Sequence, residues 1–146
     1  MDEAFVMFCE GCSSYGPFWD HYLEYRKESL VRPREVMFLR YEEVVSDTSK
    51  VIRKLGGFLG VPFTQEEESG GVVEQVADLC GSASLSNTPS NRTSRVEVAG
   101  GQLVVDPSSF FRKGEVGDWV NHMSKDMEAR MDQVVAEKFQ GSCLMF

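Results

Sequence analysis

No apolar run in this sequence approaches the ~20 residues that a helix needs to cross a bilayer, so no membrane span is expected. The opening MDEAFVMFCEGC is acidic and has no basic region ahead of a long apolar core, so no secretory signal is expected either. Positive charge is scarce: 15 Lys and Arg stand against 23 Asp and Glu, a net −8. Nucleic acid and anionic membranes repel such a chain unless its cations cluster, so neither is an expected partner. Any bound polyanion should be small and held at one local site. Histidine is rarer still, with only His21 and His122. No second C-x-x-C and no H-x-x-x-H accompanies Cys9-Glu10-Gly11-Cys12. That pair reads as two cysteines flanking a turn glycine, and no metal is expected. Without a secretory route, Cys9, Cys12, Cys80 and Cys143 are expected to be reduced thiols in the cytoplasm. The sequon Asn91-Arg92-Thr93 is then a coincidence of composition. A glycine-rich phosphate loop is missing as well.

What is present fits one domain over residues 1–146, with 42% hydrophobic and 26% charged residues. A short helix is predicted from Asp2 to Phe8, and a second from Phe18 to Leu30 with Trp19, Tyr22, Leu23 and Arg26 on one stripe. Val36, Met37, Phe38 and Leu39 form the one strong strand signal, a continuous apolar run suited to a strand buried on both faces. Asp47 or Thr48 can cap a helix whose apolar face is Val51, Ile52, Leu55, Phe58 and Leu59. Thr64-Gln-Glu-Glu67 has the form of a capping box, and its helix is predicted to run on to Cys80. Residues 81–109 lose all periodicity and read as one long loop carrying Arg92 and Arg95. A last helix is predicted from Ser124 to Phe139, with Met127, Met131, Val134, Val135 and Phe139 as a core stripe. A single buried strand among four or five helices needs neighbours, because unpaired backbone groups inside a protein are costly.

The stretch FFRKGEVGDW, Phe110 to Trp119, carries the chemistry. Arg112 offers a planar fork of donors, Lys113 a compact mobile charge, and Gly114 lets backbone amides approach an anion closely. Together they suit a phosphate. Taken alone, R-K-G reads rather as a solvated Arg-Lys pair at a turn.

The surrounding blocks decide between these readings. FFRKGEVGDW, YGPFWDHYLEY (Tyr15–Tyr25), VMFLRYEEV (Val36–Val44), LGGFLGVPFTQEEESGGVVEQVADLC (Leu55–Cys80) and EKFQGSCL (Glu137–Leu144) together resemble the cytosolic sulfotransferases, especially the plant branch. The resemblance covers essentially the whole chain. It implies an α/β, P-loop-type sulfotransferase fold, represented by its C-terminal part, mostly helical with about one buried parallel-type strand. The implied activity is transfer of a sulfuryl group from 3′-phosphoadenosine 5′-phosphosulfate (PAPS) to a hydroxyl of a small-molecule acceptor. By the same resemblance, Arg112, Lys113 and Gly114 hold the 3′-phosphate, Tyr41 contacts the adenine and Cys80 lies near it. Asp118 and Trp119 shape the loop, and Tyr15–His21 lie near the acceptor.

The departures from the family are equally specific. The chain opens at what looks like the middle of the family, so its phosphate loop, its catalytic histidine and the Arg and Ser that share the 3′-phosphate have no counterparts. His21 is not at the catalytic histidine's place. Ser82 stands where an aromatic usually stacks on adenine, a contact worth ~1–3 kcal/mol in comparable sites. Val120 replaces a usual lysine, and the short C-terminal dimer motif is largely absent. Little or no catalysis is expected from this chain alone, and no catalytic residue is assigned. A non-catalytic module that binds adenosine bisphosphate or a partner chain is the alternative, and a ligand-free helical protein is the third reading. Apolar surface left uncovered in such a fragment predicts self-association.

Overall fold

The computed structural model describes the chain except for residues 1, 14, 94, 95, 99–102, 112, 143, 145 and 146, and gives only the backbone of residues 2, 92, 93, 96–98, 103 and 104. The described elements are mostly helical. In order they are α1 (Asp2–Cys9), α2 (Phe18–Val31), α3 (Tyr41–Ser46), α4 (Thr48–Phe58), α5 (Gln65–Ser69), α6 (Val72–Cys80), α7 (Ser82–Ser86), α8 (Pro89–Thr93), β1 (Val96–Val98), β2 (Leu103–Val105) and α9 (Lys125–Lys138). Short 3-10 turns cover Pro107–Phe110 and Asp118–Asn121. Among the described residues, no helix is long and apolar enough to cross a membrane. The chain divides into two compact units, Met1–Phe38 with Gly117–Phe146, and Leu39–Val116.

The first unit is built by α1, α2 and α9. Ser124 caps α9 by accepting the Met127 N–H, and the expected stripe forms from Met131 onward, without Met127 in the cluster. Val134 and Phe139 are buried with Cys9 and Trp19, while Met131 and Val135 pack against them. Phe18 joins this core to its aromatic rim: it stacks on Phe8 at 5.0 Å and tilts against Phe139 at 6.2 Å. The Lys138 ammonium sits 5.0 Å from the Trp19 ring, closing the cluster from outside. Cys9 is therefore a core residue, and Cys12 is exposed beyond the turn.

That turn needs its glycine. The Gly11 N–H bonds the Phe8 carbonyl at 3.0 Å and the Cys12 N–H bonds the Met7 carbonyl at 2.8 Å, which ends α1. Gly11 has φ +83°, and a Cβ there would lie 3.0 Å from both Pro17 and Trp19. Gly11→Ala therefore combines left-handed strain with crowding against a buried ring. It should lower stability by ~1–3 kcal/mol, read from a denaturant midpoint; an unchanged midpoint would contradict this packing.

In the second unit, α4 lies between α3 and α6, and α6 also meets α5 and α7. Val51 of α4 and Val73 of α6 are buried. The Asp47 side chain accepts the Lys50 N–H and caps α4. Arg53 of α4 bonds Glu68 of α5 at 2.7 Å and Glu74 of α6 at 3.1 Å, tying three helices together at the surface.

The structure corrects three expectations. Residues 36–40 are not a strand: Val36 to Leu39 are half-buried but have no sheet pairing. The apolar run is only half-buried, not buried on both faces, and a strand also needs a ladder partner. The only sheet among the described residues is the antiparallel pair of β1 and β2. The helix starting at Thr64 does not reach Cys80. It stops at Ser69 because Gly70 and Gly71 follow, Gly71 at φ +71°, and α6 starts afresh at Val72. Residues 81–109 are not one loop, since α7, α8, β1, β2 and the turn beginning at Pro107 occupy much of them. α3 was not expected either.

The capping box at Thr64 is present on both sides. The Thr64 N–H donates to Glu67 Oε2 at 2.8 Å, and Thr64 Oγ1 accepts the Glu67 N–H at 3.3 Å. The Thr64 backbone N–H, aided by its hydroxyl, holds the Glu67 carboxyl below its ordinary value. A lowered value in the folded state means that the contribution is complete above the unfolded value, about 4.3, and is lost as pH falls through the folded one. Glu67→Gln keeps an acceptor but does not titrate. Its loss of stability between about pH 5 and pH 3 should be shallower than the parent's, measured by denaturant unfolding across that range.

Candidate functional site

The R-K-G stretch hangs from a built turn. Asp106 opens it: Asp106 Oδ1 accepts the Ser108 N–H at 2.9 Å, and the Asp106 carbonyl accepts the Ser109 hydroxyl at 2.7 Å. Pro107, at the first position, has its φ preset and its ring buried. The Phe111 N–H donates to the Ser108 carbonyl at 3.1 Å and ends the turn. α8 packs against this turn. Phe111 is half-buried, whereas Phe110 is 69% exposed.

Beyond the turn, Arg112 lies outside the described residues. Lys113 is exposed. Gly114 has φ +67°, and nothing lies within 4 Å of where its Cβ would stand. The glycine is thus required by the backbone angle and not by crowding. The open space beside it lets a ligand's oxygens come close to main-chain amides. A compact cation beside such a backbone suits a small anion such as a phosphate.

Tyr41 is the first residue of α3 and is half exposed, at 53%. Cys80 is the last residue of α6, with an exposed free thiol. Ser84 Oγ donates to the Asp78 carbonyl at 2.6 Å and folds α7 back onto the end of α6. From there α7 touches α8, and α8 touches the turn at Pro107. Tyr41, Cys80, Lys113 and Gly114 therefore belong to one unit, linked through packed elements.

Asp118 and Trp119 belong to the other unit. Asp118 accepts Asn121 Nδ2 at 3.0 Å and lies 3.2 Å from His122 Nε2, so its carboxylate organises its own turn. Trp119 is 42% exposed. His21 is exposed and bonds the Tyr15 carbonyl. Among the described residues, no group of three or more His, Cys, Asp or Glu could hold a metal ion. Sequence reasoning passed over Asp106, although Asp-Pro-Ser-Ser is a readable signal: a capping acceptor, then proline, then an N–H two residues on.

The model of the sulfotransferase domain matches residues 1–143. The chain belongs to the sulfotransferase family. Among relatives of this family member, cytosolic sulfotransferase 1 of Arabidopsis thaliana is 42% identical over 146 residues, covering 100% of this chain and 43% of that protein. Cytosolic sulfotransferase 5 of the same plant is 43% identical over 145 residues, covering 99% and 43%. The chain thus spans less than half the length of these relatives. Solved structures share its fold. A mouse sulfotransferase, SULT7A1, complexed with PAP aligns with a TM-score of 0.73 at 23% identity, over 97% of this chain and 47% of its own. A putative steroid sulphotransferase of Arabidopsis thaliana aligns at 0.64 with 30% identity, over 99% and 38%. The resemblance drawn from the five sequence blocks thus holds across the chain.

Proposed function

We propose that this chain is the C-terminal part of a sulfotransferase domain and seats the adenosine 3′,5′-bisphosphate moiety of PAPS. The activity it serves is transfer of a sulfuryl group to a hydroxyl of a small-molecule acceptor in the cytoplasm. The observation that carries this reading is the family match over residues 1–143, which includes the R-K-G stretch. The mouse relative described as complexed with PAP adds support for the ligand class.

In this reading Arg112 and Lys113 neutralise the 3′-phosphate, and the backbone at Gly114 approaches it. Tyr41 and Cys80 face the adenine. The donor supplies an activated sulfuryl group, whose bond to the 5′-phosphate breaks as the acceptor oxygen takes it. Such a transfer needs a base within hydrogen-bond reach and donors aimed at the leaving group. The residues with a proposed role in this chain hold the nucleotide and supply neither. The chain alone is therefore a nucleotide-seating piece with little or no turnover, and Ser82 weakens its hold on adenine.

The test is a sulfuryl-transfer assay of the purified chain with PAPS and a panel of phenolic and steroid hydroxyl acceptors. The expected result is no product above background. Turnover by the chain alone would overturn the division of labour proposed here.

A further inference from the structure

We propose that the face formed by α2 and the segment Val36–Phe38 is a strand-docking site: an extended segment of a partner polypeptide pairs with this main chain and sets a carboxylate against Arg26. The first observation lies in the main chain. Val36 donates its N–H to the Arg32 carbonyl at 2.9 Å, which closes the turn after α2. From there the chain runs half-buried, without helix, turn or bend, and the N–H and C=O of Met37 and Phe38 have no partner among the described residues. Unpaired main-chain groups in such a position cost stability, and an added strand satisfies consecutive donors and acceptors at once. The second observation is a cation. Arg26 holds its guanidinium 5.9 Å from the Phe38 ring, which also meets Tyr22 at 6.3 Å. Arg26 Nε is buried and has no hydrogen-bond partner among the described residues. Two nearby carboxylates, Glu28 and Glu35, bond Arg32 instead, at 2.8 and 3.3 Å. A buried donor left unsatisfied is costly, more so on a charged group. One turn beyond Arg26 on the same side of α2, Leu30 is 62% exposed, so the face stays open past Phe38. Main chain without a ladder, apolar surface and one unpartnered cation together call for an extended apolar segment that carries an acidic side chain. Its carboxylate draws the guanidinium off the ring and gives Nε the acceptor it lacks. This face shares no residue with the nucleotide seat, and its test is independent of that reading.

The probe is a short synthetic peptide of alternating valine and threonine with one central glutamate, beside the same peptide with glutamine in that place. The purified full chain is titrated with each. Affinity is followed by nuclear magnetic resonance and amide exchange by deuterium uptake, alongside thermal melts and sedimentation. The glutamate peptide should bind saturably and slow amide exchange across Val36–Phe38. The glutamine peptide should bind roughly tenfold more weakly, the scale of one charge-assisted hydrogen bond. Arg26→Met keeps the apolar stem and removes the charge, so it should bind the two peptides alike, within about twofold. Equal binding of both peptides by the parent would overturn the role of Arg26 without recourse to any variant. An Arg26→Met chain that melts normally and still prefers the glutamate peptide as the parent does would overturn it as well. Binding that leaves exchange at Val36–Phe38 unchanged would place the peptide elsewhere and overturn the docking site, and so would no binding by a folded parent. Slow exchange at Val36–Phe38 in the chain by itself, fading as the chain is diluted to monomer, would make a second copy the occupant and overturn the partner proposed here.

Discussion

Replacing Lys113 by alanine should weaken binding of adenosine 3′,5′-bisphosphate by about tenfold or more, and adding Arg112→Ala should take the loss to about a hundredfold or beyond. A charge-assisted hydrogen bond is worth ~1.5–3 kcal/mol, and phosphate oxygens accept several at once. The chain carries a net −8, so its overall field opposes an anionic ligand. Affinity must then come from cations placed at the site itself. Lys113 is exposed, so its attraction is screened by salt, and the parent's affinity should fall as ionic strength rises. The two cations are sequence neighbours and in the proposed site would share one ligand, so their effects should not add simply. Titration calorimetry of the parent, each single variant and the double variant checks all of this. A double variant that binds as tightly as the parent would remove the phosphate from this stretch.

Phe139→Ala should cost ~3–5 kcal/mol of stability. The ring is 5% exposed and sits in the buried cluster with Cys9, Trp19 and Val134. It meets Phe18 at 6.2 Å and Tyr22 at 6.3 Å, so truncation empties a space bounded by α1, α2 and α9. Domains of this size are typically stable by only ~5–15 kcal/mol, so the loss should be visible as partial unfolding at moderate temperature. A thermal or denaturant melt gives the number. A loss below about 1 kcal/mol would mean that the cluster collapses around the gap, or that it is not the core of this unit.

Legibility in the sequence followed the range of each signal. The helices whose information is local were readable. Trp19, Val134 and Phe139 showed themselves by helical spacing, Asp47 by its capping chemistry, and Thr64 with Glu67 by the box they close. Boundaries set by backbone conformation were less so. The Gly70-Gly71 break was overlooked because the apolar period continues through Val72 and Val73 on the far side. The segment Val36–Leu39 failed for a different reason. Its composition reports only an apolar, half-buried segment, whereas a strand is a relation between two segments, and one segment cannot specify it. In residues 81–109, five-residue helices such as α7 are too short to express a period and are held by side-chain bonds to the main chain. Ser84 to the Asp78 carbonyl and Asn91 to the Leu85 carbonyl are two of these. The site was legible chiefly through motif likeness. Lys113 and Gly114 could be singled out by charge and backbone freedom, but Tyr41 and Cys80 only by resemblance. Asp106 announced itself in Asp-Pro-Ser-Ser and was passed over because a capping signal is easily read as loop composition.

The central claim is that this chain seats an adenosine bisphosphate at its R-K-G stretch. Titration calorimetry of the purified, folded chain with adenosine 3′,5′-bisphosphate addresses it most directly. The account predicts saturable one-to-one binding that weakens with salt and vanishes in the Arg112→Ala, Lys113→Ala double variant. No heat and no saturation with a folded parent, or binding that survives the double variant, would contradict it.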